Sequence, residues 1–182
     1  MMRFVLALAA GLLGLAPSLA SAQYVAPPPR ELREPTGSDL VYIYNIGLRV
    51  SLAPGLFVPL DGGRVGFSLG GDVRFGIPLG PVIVAPGLRV AGYWPSGYYG
   101  VIGLATTRIT VPLGPVGPYV LGGVGPGHVS KPSDTGLAYQ AGGGFMVYVG
   151  TAFGFGAEAS YLAITGTNFR SLFIGPALLL GF

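Results

Sequence analysis

The sequence predicts an all-β fold: a transmembrane, antiparallel, up-and-down β-barrel of eight strands behind a signal peptide. Three observations carry the prediction. From about residue 40 to the last residue, Phe182, apolar residues alternate with small or polar ones in stretches of roughly 12, broken by Gly/Pro turns. Apolar residues make up 51% of the chain and charged ones 9%, too few charges for the surface of an ordinary soluble domain. A secretory leader stands in front, and an aromatic residue closes the chain.

Residues 1–22 have the form of a signal peptide, with Arg3 as the positive start, an apolar run over 4–15, and Ala20-Ser21-Ala22 as the small-residue cleavage site. There is no Cys, which excludes lipidation behind that site as well as disulfides. Residues 23–39, with Pro27-Pro28-Pro29 and mixed charges, read as an extended, solvated periplasmic leader. The barrel is expected over 40–182. The net charge of +3 is scattered, which excludes a nucleic-acid-binding patch.

The strands follow from parity and turn chemistry. The first is expected over 41–52, with Tyr42, Tyr44, Ile46, Leu48, Val50 and Leu52 facing out and Ile43, Asn45, Gly47, Arg49 and Ser51 facing in. Asp61-Gly62 marks the turn in the connection that follows. The second spans 64–77: Val65, Phe67, Leu69, Val73, Phe75 and Ile77 share one face, and Gly66, Ser68, Gly70, Asp72, Arg74 and Gly76 the other. The third and fourth, 82–94 and 98–111, flank the short loop 95–97. The fifth is placed at 116–125, followed by a loop over 126–136, and the sixth at 137–149. The seventh and eighth are placed at 152–163 and 171–182. The tetrapeptide Pro-Leu-Gly-Pro forms both the turn at 78–81 and the turn at 112–115. At roughly 3.3 Å per residue and a tilt near 40°, 12 residues rise about 30 Å, the thickness of a bilayer core. Tyr42, Tyr44, Phe75, Phe153 and Phe182 fall near one interface, and Phe67, Trp94, Tyr99, Tyr161 and Phe169 near the other.

A helical membrane protein is excluded by the same residues. The longest uncharged window, 135–157, contains seven glycines, each costing roughly 1 kcal/mol in a helix interior. A bilayer admits only helices or closed barrels.

The leader, the eight alternating strands, the compact turns and the ending Leu178-Leu179-Leu180-Gly181-Phe182 resemble the small outer-membrane barrels of the OmpA/OmpX type. The resemblance implies residence in the outer membrane of a Gram-negative bacterium with both termini periplasmic. It also implies that Leu178, Leu180 and Phe182 act as the signal read by the barrel-assembly machinery. The partners it implies are outer-membrane lipid and lipopolysaccharide, for a monomer, with no nucleic acid, cofactor or metal. Pro86, Pro118 and Pro176 depart from the pattern, since each removes a ladder donor inside an expected strand, and a bulge or shifted register is expected there.

Parity places Arg49, Asp72, Arg74, Arg89, Arg108 and Glu158 on the inner face as one belt. An eight-stranded barrel is just wide enough for side chains to fill it. The principal expectation is therefore a polar plug of arginines paired with Asp72 and Glu158, bridged by Asn45, Gln140, Ser160 and water. It corresponds to a structural role in envelope integrity or surface interaction, without enzymatic activity. The alternative is a narrow, anion-biased pore, with inward glycines such as Gly66, Gly70, Gly142 and Gly144 leaving space beside the arginines. A third reading rests on His128 and Ser130, which are similar to the His-x-Ser pair of outer-membrane lipid A deacylases. That family's orienting carboxylate has only Gln140 or Asp134 as a counterpart here.

Overall fold

The computed structural model describes residues 41–43, 45–131, 133–149 and 153–180; the signal peptide, the leader and Phe182 lie outside them. Eight strands follow one another: β1 (Gly47–Pro59), β2 (Gly66–Leu79), β3 (Val82–Trp94), β4 (Gly100–Thr110), β5 (Val116–Ser130), β6 (Ser133–Val149), β7 (Phe153–Ile164) and β8 (Arg170–Leu180). Each pairs antiparallel with the next, and β8 pairs with β1 to close the ring.

Parity holds around the whole ring. Leu48, Leu56, Phe67, Leu69, Phe75, Leu88, Val120, Phe145 and Ile174 are exposed on the outer wall. Apart from Arg170 at the rim, no outward position of a described strand carries a charge. Such a surface cannot face water and fits a hydrocarbon surrounding. Aromatic pairs stand near both edges, among them Phe67 with Trp94, Tyr139 with Tyr161, and Phe153 with Phe155. The repeated Pro-Leu-Gly-Pro turns are built alike, with Gly80 at φ 62° and Gly114 at φ 63°, where a side chain would be strained.

Three expectations need correction. Residues 41–43 and 45 are helical, and the first strand starts only at Gly47. The Asn45 side chain donates back to the Val41 carbonyl and to the Tyr148 hydroxyl, while the Ile46 amide donates to Tyr42. This local bonding competes with the strand ladder. Second, 126–136 is no loop: β5 and β6 pair continuously out to Ser130 opposite Ser133, because outward and inward positions keep alternating through the glycines. Third, Phe169 belongs to no aromatic girdle; it is buried inside the barrel against Phe57 and Tyr93.

The prolines cause no bulge. Pro86, Pro118 and Pro176 each pair in one ladder with Thr107, Phe145 and Ala157, and the register is the same on both sides of each. The cost appears on the other flank. In the β1–β8 ladder, Leu52 pairs with Leu178 and Leu56 with Ile174, but the three pairs between are absent. Leu60 donates to the Arg170 carbonyl, so even-numbered β1 residues face β8 in the hydrogen-bonded class of pair. Pro54 opposite Pro176 falls in that class, and both donors are missing. Gly55 and Gly175 let the backbones close up there: a Cβ on Gly175 would lie 2.2 Å from the Pro54 carbonyl oxygen.

The interior is packed in three layers rather than being polar throughout. At the end opposite the termini, Phe57, Tyr93, Ile102, Leu104, Leu162 and Phe169 form an apolar cluster. At the terminal end, Val41 of the helical turn packs with Ile83, Tyr119, Met146, Tyr148 and Leu179. That turn crosses the mouth so closely that a Cβ on Gly76 would overlap the Asn45 carbonyl. Between the two apolar layers lies the charged belt.

Candidate functional site: a charged belt across the lumen

Asp72 and Arg74 on β2, Arg89 on β3, Arg108 on β4 and Glu158 on β7 all point inward, at alternate positions of strands whose outer face is apolar. They meet as two groups. Arg74 Nη1 lies 2.5 Å from Asp72 Oδ1 and donates to Ser51 Oγ at 2.8 Å, while the Ser51 hydroxyl donates to the second Asp72 oxygen. Glu158 receives Arg89 Nη1 at 2.7 Å and Arg108 Nη2 at 3.5 Å, with the Tyr119 hydroxyl donating to it at 3.2 Å. The Arg108 guanidinium stacks 4.0 Å from the Tyr119 ring centroid. The Glu158 side chain is 1% exposed.

Topology gives the Arg89–Glu158 contact its meaning. In a ring of eight strands, β3 and β7 are diametrically opposed. A 2.7 Å contact between them crosses the whole lumen. Inward glycines lie against these side chains: a Cβ on Gly70 would sit 3.4 Å from the Arg89 guanidinium, and one on Gly87 would clash with Arg74.

Arg49 stands opposite Arg74 in the β1–β2 ladder, and it donates hydrogen bonds to backbone carbonyls. It is half-buried beside the helical turn at the terminal end, donating to the carbonyls of Leu48 and Ile43. The expected bridging residues do not join the belt. Gln140 donates to Ser160 at 2.7 Å, and Asn45 serves the helical turn. Sequence reading missed the apolar layers that enclose the belt. Their signal was present in the inward parity of Phe57, Ile83, Tyr93, Ile102 and Leu179.

His128 and Ser130 lie on the outer face of the β5–β6 hairpin. His128 Nδ1 is 3.1 Å from Thr135 Oγ1, and Ser130 Oγ accepts from the Tyr99 amide at 2.8 Å. Gln140 is buried in the lumen, on the other side of the wall, and Asp134 takes inward parity opposite Val129. Neither is placed to orient His128. Among the described residues no cluster of His, Cys, Asp and Glu could hold a metal. A cup of about 220 Å³ opens at the same end, with Phe57 and Phe169 as floor and Asp61, Lys131 and Arg170 at its rim.

No protein-family model matches the sequence, and no curated protein matches it. Solved structures do match in fold. Neisserial surface protein A superimposes with a TM-score of 0.57 at 16% identity, over 74% of this chain and 96% of that one. The N-terminal β-barrel domain of Pseudomonas aeruginosa OprF gives 0.54 at 13% identity, over 75% and 98%. The outer membrane enzyme PagL gives 0.54 at 8% identity, over 75% and 100%. With a closed ring of eight antiparallel strands, an apolar outer wall and these neighbours, the chain is a transmembrane barrel with the fold of the small outer-membrane barrels.

Proposed function

We propose that the protein spans the outer membrane as a sealed barrel with a structural role in envelope integrity or surface interaction, and that the charged belt is its plug. The observation that carries this reading is the Arg89–Glu158 pair reaching from one wall to the opposite one, between two apolar layers. Two side chains that meet across the diameter, with Arg74, Asp72 and Arg108 beside them, obstruct an aqueous path at that level. The outward setting of Leu178 and Leu180 on β8 supports their recognition by the assembly machinery, since they present one apolar edge to a partner. Lipid and lipopolysaccharide are then the standing partners of a monomer whose termini lie in the periplasm.

The test is planar-bilayer recording of refolded protein. The plug predicts no sustained single-channel openings. Steady openings, altered in Arg89→Ala, would replace it with the anion-biased pore. Because PagL shares this fold and is an enzyme, lipid A mass analysis with wild type and His128→Ala belongs beside the recording; identical acyl patterns are expected.

A further inference from the structure

The belt does not balance its own charge. Three buried guanidiniums, Arg74, Arg89 and Arg108, face two carboxylates, Asp72 and Glu158. Both carboxylates are already engaged. Asp72 holds Arg74 and Ser51, and Glu158 holds Arg89, Arg108 and the Tyr119 hydroxyl. One unit of positive charge is left over between two apolar layers, where an uncompensated ion is strongly disfavoured.

The leftover charge coincides with leftover donors. Among the described residues, Arg74 Nη2 and Arg89 Nε are buried and make no hydrogen bond; Glu158 Oε1 makes none either, its 2.7 Å contact with Arg89 being an ion pair. Both arginines line a small cavity of about 10 Å³, whose other walls are Asp72, Ala85, Thr106, Thr107, Arg108 and Leu121. All three arginines therefore border one small space. A volume of that order holds about one water-sized sphere.

From these facts we infer that the lumen binds a single monovalent, monatomic anion of the chloride class among Arg74, Arg89 and Arg108. A water molecule would satisfy the two donors but leave the charge. A polyatomic carboxylate, phosphate or sulfate needs more room than a monatomic ion, and a divalent anion would reverse the imbalance. Asp72 borders the cavity, but its two oxygens are turned to Arg74 Nη1 and the Ser51 hydroxyl, so its charge is already committed. The inference deepens the sealed-plug reading and rests on it: the ion is a structural component held in a closed lumen, not a permeating one.

The experiment is refolding and crystallisation of the full barrel in sodium bromide, with anomalous difference maps at the bromine edge. One peak within hydrogen-bonding distance of Arg74 and Arg89 is expected. Density at that place without anomalous signal would mean water and would overturn the inference, while leaving the plug intact. A second measurement needs no crystal. The urea midpoint of wild type in chloride should exceed that in gluconate at equal ionic strength, and Arg74→Gln should abolish the difference while keeping heat-modifiable gel migration. Equal midpoints in the two salts for wild type would count against the site. Sustained bilayer conductance would overturn the plug and, with it, the ion's role as a fixed structural component, even where the anomalous peak is present.

Discussion

Replacing Glu158 with Gln tests the wall-to-wall pair directly. The substitution keeps the side chain's size and removes its charge, so Arg89 at 2.7 Å and Arg108 at 3.5 Å lose the carboxylate they share. Three guanidiniums would then face Asp72 alone. Removing one partner of a buried pair typically costs about 3–5 kcal/mol, because the remaining charge stays buried without compensation. At about 1.4 kcal/mol per factor of ten, the folding equilibrium constant should fall at least about 100-fold. Urea titration in lipid vesicles would read this through Trp94, the single tryptophan, which stands on the outer wall stacked on Phe67. Exposed Asp61→Asn is the control, expected to lie within about 0.5 kcal/mol of wild type. A loss below about 1 kcal/mol for Glu158→Gln, with unchanged urea dependence, would refute the reasoning: the belt would then be hydrated rather than sealed.

Leu69→Arg puts a charge on the lipid-facing wall opposite Pro54 and Gly92; a loss of about 2–4 kcal/mol in vesicle unfolding is expected near midplane, against little change if that wall faced water. Gly76→Ala should dislodge the helical turn, since its Cβ would overlap the Asn45 carbonyl; cysteine labelling at position 41 from the aqueous side should then rise well above that of the parent. Pro54→Leu with Pro176→Leu restores both donors of the missing rung, and about 0.5–1.5 kcal/mol per recovered bond should appear as a higher urea midpoint.

Most of the architecture was readable because strand parity has a period of two and the bilayer imposes one apolar side. The sequence alone places Arg74, Arg89, Arg108 and Glu158 inside, since each sits at odds with its apolar neighbours. Strand ends were less legible. Gly125, Pro126, Gly127 and Gly136 have the composition of a loop, yet they continue the ladder because no residue among them changes parity. The sequence over 41–46 alternates well enough for a strand, yet the Asn45 side chain's bonds to Val41 and Tyr148 and the Ile46 amide's bond to Tyr42 favour a helical turn at 41–43 and 45. Arg49 shared the parity of the belt and stands opposite Arg74 in the β1–β2 ladder, yet its guanidinium donates to the carbonyls of Leu48 and Ile43. Which acceptor a long inward side chain reaches depends on the helical turn beside it, which one-dimensional alternation does not encode. The apolar layers were hidden for a related reason: inward Phe57, Tyr93 and Leu104 read as ordinary alternation until the small bore of the ring forces them together.

The facing pair Pro54 and Pro176 has a consequence for the half-built molecule. Seven of the eight pairings join neighbours in sequence, while β1 and β8 meet across the whole length of the domain. Until they do, they are naked edges, inviting other chains to add on and aggregate. An imino acid in the middle of each edge interrupts the row of donors a stray strand would need. The finished wall carries a stretch of about 13 Å without rungs, and in return the unfinished sheet is a poor template for anything except its own opposite edge.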